Sequence, residues 1–141
     1  MNVAYMTIEG DDIRKLGDIL DQSISSYNTN SHIYRDGDTM MIMRECYYMR
    51  ISSTLMSATI LKFIGNNRVE IEQVVSGGKS GALMLSWGSE NSEHRFMINN
   101  IMEICAENSW KVIKVNPEAL RKSLKESMIS KFKDKVSDIF N

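Results

Sequence analysis

The sequence predicts an α+β fold, a mostly antiparallel sheet of about five or six strands with helices packed on one face and a long amphipathic helix at the C-terminus. Three features predict it. In the middle of the chain Leu55, Ser57, Thr59, Leu61 and Phe63, then Val69, Ile71, Gln73 and Val75, recur at every second position around a Gly65-Asn66-Asn67 turn. That is the period of a hairpin with one covered face. Upstream, Ile13, Leu16, Leu20 and Ile24 step by three and four, as on one side of a helix. Downstream, Leu120, Leu124, Met128, Phe132, Val136 and Phe140 recur every four residues, joined by Ile129 and Ile139.

Taken in order, residues 3–9 alternate apolar with polar and read as a first strand closed by Gly10. Asp11 or Asp12 then caps the first helix, whose stripe Ile19 widens. Gly17 weakens that helix by about 1 kcal/mol relative to Ala unless another backbone packs close against it. Residues 25–38 are rich in Ser, Asn and Asp, a loop signature that encloses His32 and Tyr34. Residues 39–50 read as a strand, with Met41, Met43, Tyr47 and Met49 on one face and Met40, Ile42, Arg44, Cys46, Tyr48 and Arg50 on the other.

The central hairpin follows, its second face running from Met56, Ala58 and Ile60 to Lys62, Arg68, Glu70 and Glu72, so that one end is charged. Ser76-Gly77-Gly78-Lys79-Ser80-Gly81 breaks the pattern, and residues 82–87 read as a third short strand of a meander. Residues 88–93 offer caps for a second helix carrying Phe96, Met97, Ile101, Met102, Ile104 and Cys105 and reaching about Asn108. Residues 110–115 alternate like a strand. Asn116-Pro117-Glu118 then supplies a cap, a proline at the first helical position and an acid in the first turn. The stripe of the last helix drifts around its axis, which suits a helix wrapped over a sheet or a neighbouring subunit better than a heptad seam. Residues 1–141 read as a single domain.

Seventeen basic and eighteen acidic residues give a net charge of −1, so no global field favours a nucleic-acid backbone or an anionic membrane. With 43% apolar residues and one proline the composition is that of a folded domain, long enough to bury roughly 68 to 70% of its unfolded surface without staples. The N-terminal residues lack the basic start and apolar core of a signal peptide, and no run approaches a membrane span. A cytoplasmic protein is therefore expected, with Cys46 and Cys105 as buried thiols.

Gly78-Lys79-Ser80 ends like a phosphate loop. The full motif needs a glycine five residues before Gly78, where Gln73 stands, and a helix immediately after it, where a turn and strand are expected. Glu90 and His94 are four apart and close enough to share a metal or a proton, but zinc wants three or four protein ligands and His32 is the only other imidazole. Both are expected as solvated residues at a helix start, and no metal or cofactor is expected. Neither cysteine has a base and an orienting group beside it in sequence. Tyr47, Tyr48 and Arg50 can line a ligand pocket, rings giving contact and the guanidinium meeting an acidic group, although alternation sends Tyr47 to the opposite side. Lys131, Lys133 and Lys135 are interleaved with acids and read as a solvated face.

Ile8-Glu9-Gly10-Asp11, Arg44-Glu45-Cys46-Tyr47-Tyr48, Ser76-Gly77-Gly78 and residues 88–96 occur in the order found in a small uncharacterised bacterial family of domains of unknown function, which the chain resembles over about residues 1–108. Arg50-Ile51-Ser52-Ser53 departs from that family's Gly-x-Asn-Arg turn, and the C-terminal helix lies outside the likeness. The resemblance implies a fold and no activity. Three functions are expected in descending order. The first is a non-catalytic binding or interaction domain, one form of it a homodimer built on an exposed edge strand or the C-terminal stripe. The second is a small apolar-ligand carrier with a pocket between sheet and helices. The third is an enzyme, for which the sequence assembles no base, nucleophile and oxyanion arrangement.

Overall fold

The computed structural model describes residues 2–26, 30–48, 53–77, 83–121, 136–137 and 139. In chain order the elements are β1 (Asn2–Glu9), α1 (Lys15–Ser25), β2 (Asn30–Asp36), β3 (Thr39–Tyr48), β4 (Ser53–Ile64), β5 (Arg68–Gly77), α2 (Leu83–Glu107) and β6 (Lys111–Asn116). The strands form one six-stranded sheet in the order β2-β3-β4-β5-β1-β6, and every neighbouring pair is antiparallel. The α+β class and the antiparallel sheet follow directly.

Period-two alternation decides which side of the sheet is covered. Met6 lies opposite Ile71 and Val115, Ile71 opposite Leu61, and Leu61 opposite Met40, so these side chains share one face. They belong to a single buried cluster with Ile13, Leu16, Leu20 and Ile24 around α1 and with Met97, Ile98, Ile101, Ile104 and Cys105 of α2. Ile19 packs against its margin, as the stripe predicts. The helices are tied to each other as well: Ser23 Oγ and Asn100 exchange hydrogen bonds of 3.0 and 3.2 Å.

One end of the sheet is clamped by its turns. The β4–β5 turn presents the Asn66 and Asn67 carbonyls to the Ile13 and Gly10 amides at 3.2 and 2.9 Å, and Trp110 Nε1 donates to the Asp11 carbonyl at 2.8 Å. Gly10 is required there. A Cβ at that position would lie 2.2 Å from Trp110 Cδ1. Gly17 has a different reason: its missing side chain admits Met40, whose Sδ would be 3.0 Å from a Cβ, so a side chain rather than a backbone makes the close approach.

Four expectations are corrected. Residues 83–87 of the expected third strand are helical, because Leu83–Glu107 is one helix of 25 residues, about 37 Å long at 1.5 Å per residue, and residue 82 lies outside the described residues. Its Gly88 to Glu93 segment, expected as caps, is helix interior. A short apolar run cannot be told from a buried helical segment by period alone. Residues 30–36 are not loop but β2, an edge strand whose polar composition follows from its exposure. Asp11 and Asp12 do not cap α1, which starts after a turn in which Asp12 adopts φ of 55° and Arg14 takes the N-cap position without a side-chain bond. Asn116 closes β6 instead of capping a helix, and helical structure resumes at residues 119–121. Residues 136–137 and 139 are helical too, while the remainder of the expected long C-terminal helix lies outside the described residues.

Candidate functional site

Beneath α2 the covered face of the sheet turns from apolar to polar. Arg44 sits opposite Ser57, and Thr59 opposite Gln73, in adjacent cross-strand rows. All four are buried, as are Glu93 and His94 of α2 above them. Arg44 Nε lies 3.3 Å from Glu93 Oε1, with the two side chains only 6% and 1% exposed. The guanidinium also donates to Cys46 Sγ through Nε at 3.1 Å and Nη2 at 2.7 Å, and the Phe96 ring centroid is 4.2 Å from Cζ. Ser57 Oγ donates to Glu93 Oε1 at 3.1 Å. His94 Nδ1 lies 3.0 Å from Gln73 Oε1, which accepts when that nitrogen carries the proton.

The chemistry open to this cluster is narrow. Burial pushes the Cys46 thiol above its usual range despite the guanidinium beside it, because desolvating a thiolate outweighs the hydrogen bond, and the neighbouring Glu93 carboxylate raises it further. Burial alone pushes Cys105 up to about 12. Both thiols are free and buried, as nucleophiles are not. Burial also lowers the His94 pKa, countered in part by the Asn2 backbone. Arg44 Nη1, Thr59 Oγ1, Gln73 Nε2 and His94 Nε2 have no hydrogen-bond partner among the described residues. Thr59 and Gln73 border a cavity of about 10 Å³, room for one water and no more.

The opposite face is different. Across it run two rows, Val3-Val74-Ala58-Met43-His32 and Asn116-Tyr5-Glu72-Ile60-Met41-Tyr34, joined strand by strand. They make an apolar band that reaches the β2 edge at His32 and Tyr34. Next to it, Tyr5, Thr7, Ile60, Lys62, Glu70, Glu72, Lys114 and Asn116 border an open groove of about 460 Å³. A smaller groove of about 320 Å³ lies by His32, Met43, Glu45 and Met56.

The two sheet edges are also unlike. Along β6 the register slips between Thr7 and Ile8, Lys111 and Lys114 stand on the strand, and Arg121 Nη2 donates to the Val112 carbonyl at 3.2 Å. A bulge, lysines and a covered carbonyl are the devices that keep an edge from pairing with another chain. Among the described residues, β2 shows none of them. Of its residues only Ile33 is partly buried, and Arg35 turns back to Asp18 and Asp21 of α1 at 2.8 and 3.5 Å. Among the described residues, no backbone bond beyond its ladder with β3 engages this strand.

The residues singled out from sequence fall as follows. Tyr47 is 64% exposed on the side of the sheet away from α1 and α2, while Arg50 and the Tyr48 side chain lie outside the described residues. His94 is not a solvated residue at a helix start but a buried one, since the helix begins earlier than expected. The Glu90 side chain, the Lys-rich face and Gly78-Lys79-Ser80 lie outside the described residues. One reason against a phosphate loop falls, because a helix does follow β5. The other stands, since Gln73 occupies the first glycine position and is committed to the sheet interior. Glu93 is hidden among apparent caps, and its signal is Arg44 between Ile42 and Cys46 on the face of the strand that also carries Met40, Tyr48 and Arg50. Among the described residues, no group of three or more His, Cys, Asp or Glu is placed to hold a metal ion, and none of the helices is long and apolar enough to cross a membrane. No protein-family model matches the chain, and no curated protein matches it at a significant level.

Proposed function

We propose that this chain is a non-catalytic interaction domain that works as a homodimer, two copies meeting at the free edge of their sheets. The observation that carries this reading is the contrast between a guarded β6 and an unguarded β2. An exposed strand without bulge, proline or outward lysine is a template for another strand. The buried polar cluster supports the non-catalytic part: its carboxylate, guanidinium, thiol and hydroxyl bind one another. Two free buried thiols support a reducing compartment, the cytoplasm in this proposal. Kinship with the bacterial domain family belongs to the same proposal and adds no activity.

Sedimentation velocity across a hundredfold concentration range tests the reading. A dimer at micromolar concentration is expected, and a monomer throughout would refute it. A second reading, carriage of a small ligand, draws on the groove of about 460 Å³ on the face away from α1 and α2 rather than on the space between sheet and helices. Native mass spectrometry of purified protein that shows a retained small molecule would favour it.

A further inference from the structure

We infer that the two copies join by antiparallel pairing of β2 with β2 about a two-fold axis at Ile33, giving one continuous twelve-stranded sheet, twice the six strands of each copy. This rests on the homodimer reading and deepens it. An isologous interface brings a strand against itself, so every residue must suit the partner that the symmetry assigns to it. With the axis at Ile33, Asn30 meets Asp36, Ser31 meets Arg35, His32 meets Tyr34 and Ile33 meets Ile33. No like charges oppose each other. This register uses all seven residues of the strand, and moving the axis to either side leaves some without a partner.

Two further observations fit the same register. Antiparallel pairing keeps face with face, so His32 and Tyr34, on the side away from α1 and α2 with Met43 and Met41, meet their counterparts on that side. The apolar band of one copy then runs into that of the other. Arg35, the one cation of the strand, is drawn toward α1 by Asp18 and Asp21, so it does not guard the edge.

Cysteine cross-linking reads the register, because the native thiols are buried and silent. Ile33→Cys is expected to form an interchain disulfide under mild oxidation, since the two residues face each other across the axis. Asn30→Cys alone is expected to form none, its symmetry mate lying about 20 Å away along the strand. Mixing Asn30→Cys with Asp36→Cys is expected to restore the cross-link. These last positions are exposed, so the variants keep the fold even where Ile33→Cys disturbs it. A dimer in sedimentation that cross-links at neither Ile33 nor the mixed pair would overturn the β2 register and leave self-association standing. A monomer would overturn both.

Discussion

Arg44→Met removes a guanidinium shared by Glu93, Cys46 and Phe96, and takes the positive partner from a carboxylate that is 1% exposed. Breaking a buried pair by deleting one partner costs about 3–5 kcal/mol, most of it the uncompensated charge left behind. Glu93→Leu strands the guanidinium instead and falls in the same range. The double variant Arg44→Met/Glu93→Leu leaves no buried charge, and replacing a whole pair with apolar residues is neutral or stabilising in comparable cases. With a urea slope of about 2 kcal/mol/M, a loss of about 4 kcal/mol moves the unfolding midpoint down by about 2 M. Each single variant should show that drop, and the double variant should return to within about 0.5 M of the parent on the same slope. The coupling between the two sites would then be about 5 kcal/mol or more, far above the few tenths expected of independent positions. Single variants that shift the midpoint by less than about 0.3 M, or a double variant equal to their sum, would refute the account of a mutually compensating Arg44–Glu93 pair.

Gly10→Ala should lower the melting temperature by about 3–10 °C, since overpacking against the Trp110 ring costs about 1–3 kcal/mol and each kcal/mol is worth about 2–4 °C in a chain of this size; an unchanged melt would show that the ring can move away. Neither Cys46 nor Cys105 should react with a disulfide reagent at pH 8 in the native protein, and both should react in guanidinium; fast native labelling of either would contradict their burial. His94 binds its proton less readily folded than unfolded, so its contribution to stability is complete above the unfolded value of 6.5, is lost as pH falls below it, and levels off under the lowered folded pKa. Urea midpoints from pH 8 to 4 should therefore differ in slope between the parent and His94→Gln, and parallel curves would remove His94 from the acid response.

The hairpin of β4 and β5 is legible in the sequence because both strands have one face in the core, so burial writes itself into alternate residues: Leu55, Leu61, Phe63, Val69, Ile71 and Val75 are all buried. The α1 stripe is legible for the same reason at a different period. β2 is not, because an edge strand with only Ile33 partly covered has no second apolar position to reveal the alternation. The start of α2 is hidden by Gly88 and its neighbours, which imitate a turn and caps inside a helix that tertiary packing holds together. The polar cluster is hardest to see. Arg44, Glu93, Ser57, Gln73 and His94 come from β3, β4, β5 and α2, and only the registers of the sheet bring them together.

That cluster also accounts for something an apolar interface would leave open. A helix of 25 residues lying on a sheet can slide by one turn, about 5.4 Å, and still bury aliphatic side chains of similar size. Beside the cluster the surroundings are of that interchangeable kind: Ile98 and Ile101 share the wall of one small cavity with Ala4, Met6 and Ile71. A slide would carry Glu93 away from both Arg44 and Ser57, leave two buried charges apart, and break the His94 contact with Gln73 in the same step. Each of those losses is larger than the difference between one aliphatic contact and another. On the α1 side the reciprocal bonds of Ser23 and Asn100 oppose the same movement. The buried ion pair thus acts on the position of α2 more than on total stability, and the helix it positions keeps the covered face of the sheet closed.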